Sequence, residues 1–176
     1  SRVLLGDRVA FCYAGRGARM EELRSEVTRS DANIRFTGFA TEADLGRRLA
    51  AADVHLVSLR NEWTGAVVPS KFFGALAIGR PVLFLGSPQC AIADWIEKYQ
   101  VGWVLSHESL PRIVAEIRRL ANSAEERACL NERCFRVYRD NFSKHEQMQA
   151  WRKAIGVHAR SSDESGQPLQ PRGAIV

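Results

Sequence analysis

Short apolar runs recur along the first two thirds of the chain, each followed by a longer stretch in which polar residues dominate. Val9 to Tyr13 is the first such run; it ends at Gly15-Arg16-Gly17 and leads into a polar stretch that reads as a helix from Met20 to about Ser30. Ile34 to Thr37 predicts a second strand, closed by Gly38. Thr41-Glu42-Ala43-Asp44 is a helix-start pattern, because a hydroxyl at the cap accepts from an amide of the first turn, and the helix is expected through Ala51. Val54 to Ser58 predicts a third strand. After a loop, Pro69 opens a helix that ends at Gly79, with Pro in a first turn and Gly just past the last. Pro81 to Leu85 and Gly102 to Leu105 read as the fourth and fifth strands, with a helix near Ile92–Tyr99 between them.

From Ser109 onward the pattern is helical throughout. Ser123 and Glu126, then Ser143 and Glu146, repeat the Ser-x-x-Glu signature of a helix start. Short apolar strands alternating with helices predict an α/β fold: a Rossmann-like parallel sheet with helices on both faces, followed by C-terminal helices. One domain is expected over residues 1–156. Residues 157–176, with Ser161 to Pro168 lacking any apolar pattern, are expected to be a disordered tail. In sheets of this kind ligands bind beyond the carboxyl ends of the strands. The loops that matter therefore follow Tyr13, Thr37, Ser58 and Leu85.

Composition adds little to that picture and contradicts none of it. The 176 residues are 45% hydrophobic and 26% charged, the balance of a globular domain. The formal charge of +5 is compatible with nucleic acid, anionic lipid, a phosphorylated substrate or simply an Arg-rich solvated surface. Cys12, Cys90, Cys129 and Cys134 form no CxxC pair, and they read as reduced thiols of a cytosolic protein. No apolar run reaches the length of a membrane span and none reads as a signal peptide. The chain opens on Ser1 rather than Met, so the natural start is expected upstream.

The loop from Asn61 to Lys71 (NEWTGAVVPSK) is the most informative. It ends where a helix begins, and free amides with the positive end of the helix dipole favour an anion there. Gly65 permits close backbone approach, Ser70 offers a hydroxyl and Lys71 a point charge, a set that suits a diphosphate. The competing reading has Ser70 capping the helix and Lys71 facing solvent. Gly15 and Arg16 open the first loop, which reads either as a flexible turn or as a position from which Arg16 approaches a phosphate across the switch point. This is not the dinucleotide fingerprint, because Met20 stands where the third glycine belongs. Gly38 and Phe39 follow the second strand; Phe39 either flanks a nucleobase or packs on the next helix.

Other chemistries find no support. His55, His107, His145 and His158 are scattered, and no HExxH, GxSxG or P-loop occurs. Neither a metal nor a cofactor is expected. His55 and Asp53 read as structural, and Trp95, Trp103 and Trp151 as packing residues. Nucleic-acid binding is disfavoured because the arginines spread over several elements without interleaved aromatics.

Taken in order, these segments resemble the C-terminal domain of GT-B-fold glycosyltransferases of family 4. The residues that carry the likeness are Phe11–Gly17 (FCYAGRG), Ile34–Phe39 (IRFTGF), Leu49–Leu59 (LAAADVHLVSL) and, most specifically, Val67–Val82 (VVPSKFFGALAIGRPV). It continues through Gly102-Trp103-Val104 to Asn141-Phe142-Ser143. The resemblance implies a nucleoside-diphosphate-sugar donor as substrate, in the biosynthesis of surface polysaccharide or another glycan. By that likeness the base lies near Gly38 and Phe39, the diphosphate meets the backbone from Val67 and Val68 to Ser70, and the ribose lies beside Gly74.

Two departures from the family stand out. Where the family carries two glutamates eight positions apart, this chain has Ala66 and Gly74, and Glu62 is the carboxylate left to replace the first. The family's domain also begins with a strand, central in the sheet, and a helix, for which Ser1 to Gly6 are too few. The resemblance thus implies a partner domain, the N-terminal half of a GT-B enzyme, in the same chain or in a neighbouring one. The chain by itself is expected to bind donor or free nucleotide weakly and to turn over nothing. A non-catalytic donor-binding or interaction subunit of a split transferase is the alternative. A cytoplasmic location completes the expectation; Arg112, Arg118, Arg119, Arg127, Arg133, Arg136 and Arg139 face either solvent or, in the split-subunit alternative, anionic lipid at the inner membrane face.

Overall fold

The computed structural model describes Gly6, residues 8–15 and residues 18–156. Five short strands alternate with helices in the first part of the chain: β1 (Phe11–Ala14), α1 (Ala18–Glu26), β2 (Ile34–Thr37), α2 (Glu42–Ala50), β3 (His55–Ser58), α3 (Ser70–Ala77), β4 (Val82–Leu85), α4 (Ala91–Tyr99) and β5 (Gly102–Val104). Three helices follow, α5 (Leu110–Asn122), α6 (Ala124–Val137) and α7 (Lys144–Ala154), with a π-helical turn at Tyr138–Phe142 joining the last two. The helix starts lie where the hydroxyl signatures put them. Thr41 accepts from the Asp44 amide at 3.3 Å, Ser123 from that of Glu126 at 3.2 Å and Ser143 from that of Glu146 at 3.4 Å. The first helix ends earlier than its composition implies, at Glu26 rather than near Ser30, because Asp31 turns back and its carboxylate accepts from the Thr28 amide at 2.9 Å.

Every strand pair is parallel, so the Rossmann-like class holds. The strands fall into two sheets. β1 pairs with β2 in the register Phe11–Ile34 to Ala14–Thr37, while β3, β4 and β5 form a second sheet with His55, Val82 and Gly102 in line. The outward groups of β1 and β3 explain the division. Phe11 and Gly15 give their amides to the β2 side, and His55 and Leu59 give theirs to the β4 side. The alternate residues, Cys12 and Ala14 on β1 and Leu56 and Ser58 on β3, turn away from those partners, and no described strand meets them. Leu56 is left 47% exposed in mid-strand.

The larger sheet carries the core. On one face Val57, Val82 and Phe84 pack with Phe72, Ala75 and Leu76 of α3, Ile92, Ala93 and Ile96 of α4, and Cys134 of α6. On the other face Trp103 and Leu83 pack against Ile113, Ile117 and Leu120 of α5, and the Trp103 indole donates to Glu116. Trp95 stacks on Phe72 at 5.8 Å, beside Phe142. The expectation for tryptophans therefore holds at positions 95 and 103 and fails at Trp151, which is 65% exposed on α7 because that helix buries none of its residues. The smaller sheet is covered on one face only, where Tyr13 stacks on Phe36 at 5.7 Å beneath the Arg24 guanidinium of α1.

Two polar contacts tie α2 to the larger sheet. His55 Nε2 bonds the Leu49 carbonyl at 3.0 Å, and Arg80 Nη2 donates to the Ala50 carbonyl at 2.7 Å, so both satisfy orphan carbonyls at the helix end. Asp53 is largely exposed and lies 4.0 Å from the Arg127 guanidinium. Burial holds the His55 imidazole below its ordinary pKa, opposed by the bond to Leu49 and reinforced by the Arg80 charge. The folded chain thus prefers neutral His55 while the unfolded chain takes up a proton near pH 6.5, so this contribution is complete above that pH and declines as pH falls below it. Urea midpoints measured between pH 7.5 and 5.5 are expected to fall with acidification, and to fall less steeply in His55→Gln. An equal slope in the variant would remove His55 from the account.

Candidate functional site

The carboxyl ends of β3 and β4 open onto a cavity of about 460 Å³ lined by Leu59, Arg60, Asn61, Glu62, Leu85 and Gly86. Its floor is set by backbone: the Leu59 amide donates to the Leu85 carbonyl at 2.9 Å, continuing the ladder one residue past the strands. Gly86 lies so close to that floor that an added Cβ would stand 2.9 Å from the Leu59 carbonyl oxygen and 2.5 Å from the Phe84 ring. A side chain at position 86 would collide with the buried Phe84 ring and the Leu59 backbone.

From this cavity the chain winds to α3 in a fixed path. Asn61–Trp63 forms a 3-10 turn, with the Trp63 amide on the Arg60 carbonyl at 3.1 Å and the Thr64 amide on that of Asn61 at 3.0 Å. Gly65 then adopts φ +81°, which L side chains rarely take, and lets the chain fold back so that the Ala66 and Val67 amides both meet the Trp63 carbonyl, at 3.1 and 3.2 Å. Val67 is therefore a poor amide donor for a ligand, since its N–H is already engaged. Val68 is half exposed beside it.

Pro69, not Ser70, is the cap of α3, and no side chain caps the helix. Proline has no N–H and no side-chain oxygen, so the Ser70 and Lys71 amides at the start of the helix have no intrahelical partner. The Ser70 hydroxyl and the Lys71 ammonium are exposed at the same end. The capping alternative for Ser70 is thereby removed. Phe72 and Leu76, both at 0% exposure, hold the opposite side of α3 in the core and fix the direction of its first turn.

Glu62, Gly65, Val67, Val68, Ser70 and Lys71 are thus brought into one loop and helix start, with Gly74 one turn along α3. Gly15 and Gly38 stand together at the carboxyl end of the smaller sheet, where the Gly15 amide donates to the Thr37 carbonyl at 3.2 Å. The Gly38 carbonyl accepts from Arg48 of α2. Phe39 is 65% exposed, so it does not pack on α2. Arg16 lies outside the described residues, as do residues 157–176. Leu85 and Gly86 were legible only as the loop after the fourth strand; their part in the cavity depends on the register of β3 with β4. Among the described residues no group of three or more His, Cys, Asp and Glu is placed to hold a metal ion, and no helix is long and apolar enough to cross a membrane.

A sequence model of glycosyl transferases group 1 matches residues 2–123. The chain belongs to that family. It is 28% identical over 103 residues to a probable glycosyltransferase, WbjE, of Pseudomonas aeruginosa, covering 58% of this chain and 26% of the relative. Its fold matches the crystal structure of WaaG, a glycosyltransferase involved in lipopolysaccharide biosynthesis, with a TM-score of 0.57 at 20% identity over 84% of this chain and 38% of that one. The chain therefore spans well under half the length of either protein, and its α/β architecture is that of a GT-B domain.

Within this family member the two positions that hold Ala66 and Gly74 now have a geometry. Ala66 is exposed in the turn before α3, and Gly74 is half buried inside α3 with no heavy atom within 4 Å of where its Cβ would stand. The second position is open, not blocked by packing. Gly74→Glu is expected to fold normally and to gain about 0.5–1 kcal/mol, since glycine is a poor residue inside a helix. A fall in thermal midpoint would show that the space at Gly74 is needed empty.

Proposed function

We propose that this chain is the donor-binding part of a glycosyltransferase that moves a sugar from a nucleoside-diphosphate sugar to an acceptor, in surface polysaccharide or related glycan biosynthesis. The observation that carries the reading is the uncapped first turn of α3. Its first amides have no side-chain cap, and Ser70 and Lys71 are exposed at the same helix start. A helix start of this kind holds a diphosphate by hydrogen bonds and by the positive end of the dipole. Those donors matter most as the sugar leaves, because negative charge then builds on the departing diphosphate and is stabilised without reorganisation. Exposed Phe39, beside Gly38, supplies a flat apolar face for the base, and the open space at Gly74 leaves room for the ribose.

The acceptor site belongs in this reading to another domain of the longer protein or to a partner chain. That division is supported by the outward groups of β1 and β3, which no described strand meets, and by the length of the related proteins. The same features support the alternative of a donor-binding subunit of a split transferase. Donor binding at the cytoplasmic face of a membrane, without a spanning helix, fits either form.

Isothermal titration of the full-length protein with UDP, GDP and ADP is expected to show binding to at least one. Lys71→Ala should weaken it about tenfold, the equivalent of about 1.4 kcal/mol for one charge-assisted contact. Absence of heat with every nucleotide at millimolar concentration would dismiss the reading.

A further inference from the structure

Phe142 closes the π-helical turn between α6 and α7, and its ring reaches back to the helix that opens at Ser70. We propose that Phe142 is a positioning residue for the start of α3, and that through it the seating of α7 sets how Ser70 and Lys71 present their amides. The consequence for affinity rests on the donor-binding reading above; the mechanical link does not.

The contact is an aromatic cluster. The Phe142 ring lies 5.9 Å from that of Phe72 and 5.4 Å from that of Phe73, both edge-on, with Trp95 at 5.1 Å and Tyr99 at 5.9 Å on α4. Edge-to-face pairs fix the orientation of a ring as well as its distance. Phe72 and Phe73 follow Lys71 directly, and the Phe72 amide donates to the Pro69 carbonyl at 3.1 Å, which closes the first turn. Phe142 thus grips the residue that closes the turn and leaves Ser70 and Lys71 as its free donors. Close-packed rings give little, so a displaced Phe142 is passed on as a displaced first turn.

Hydrogen bonds tie the same turn to its neighbours. The Asn141 side chain donates to the Val137 carbonyl at 3.0 Å and accepts from the Tyr99 hydroxyl at 3.1 Å. Gln147 of α7 donates to the Asn141 carbonyl at 2.8 Å. α7 buries none of its residues and packs chiefly on this turn, so its position reaches the rest of the fold through Asn141 and Phe142. π-helical winding is rare and concentrates at functional places. Here it takes the side chains after Val137 out of phase with α6, and Phe142 meets α3 from there.

The test separates positioning from plain stability. In full-length protein carrying isotope-labelled lysine, the Lys71 amide resonance is assigned from Lys71→Arg. It is expected to shift in Phe142→Leu and, less far, in Gln147→Ala. The second variant removes no ring, so its shift reports movement and not a lost ring current; it opens no core, and it decides alone if Phe142→Leu does not fold. Ile113→Val, in the core on the other face of the sheet, is expected to lower the thermal midpoint and leave the resonance in place. Affinity for the best bound of UDP, GDP and ADP, titrated well below every thermal midpoint, should fall about fivefold in Phe142→Leu and about twofold in Gln147→Ala, and hold in Ile113→Val. Phe142→Tyr, which keeps the ring, should recover most of the loss. A Lys71 resonance unmoved in either variant would overturn the link. So would a moved resonance with unchanged affinity, or an equal loss of affinity in Ile113→Val. Wild-type protein that binds no nucleotide would remove the donor reading, and the resonance would then decide the link by itself.

Discussion

Burial of Phe72 and Leu76 against Val57, Val82 and Phe84 decides where the first turn of α3 stands, and the rest of the site follows from that placement. An amide at a helix start is a useful donor only if the helix cannot rotate or slide. Two side chains with no exposed surface, packed against buried residues of two strands, supply that rigidity. The polar side of the same helix is left bare: a proline cap without donors, a serine, a lysine and, one turn on, a glycine. Core and site are thus opposite faces of one eight-residue element. Loss of either aromatic or aliphatic anchor would be felt at the amides as well as in stability, since a cavity beneath α3 frees it to shift.

Much of this was legible in the sequence because it depends on local chemistry. Ser123 and Ser143 predicted helix starts to the residue, since one hydroxyl and one amide decide them. The strands at Ile34, Val54 and Pro81 differed by no more than one residue, because short apolar runs bounded by turns have little freedom. What local chemistry did not disclose is long-range. The division into two sheets depends on which strand edges find partners. The exposure of Trp151 depends on what α7 packs against, and the cavity at Gly86 on the register that sets Leu59 beside Leu85. Ser70 illustrates the boundary between these cases. Its type suits a cap, yet proline one position earlier takes the extended cap conformation and moves serine into the helix.

In the proposed donor-binding reading, the two sheets would meet different parts of the nucleotide. Gly38 and Phe39 stand at the end of one sheet, Ser70 and Lys71 at the end of the other. Described contacts across from β2 to the larger sheet run through α2, which buries no residue of its own and is held at its end by His55 and Arg80. A ligand touching both ends would add a link where the protein's own packing is thin. Binding energy at such a place goes partly into ordering the two sheets against each other, and the observed affinity is the remainder. A chain with β1 and β3 paired on both sides would retain more of it.

The missing glutamates sharpen this point. A carboxylate at position 74 would sit one turn from the start of α3, where its charge would repel the phosphates of the proposed donor. This chain leaves that space open and places its unengaged carboxylate at Glu62 instead, across the Trp63 turn and at the mouth of the cavity. Moving negative charge away from the α3 start raises the local preference for an anion there.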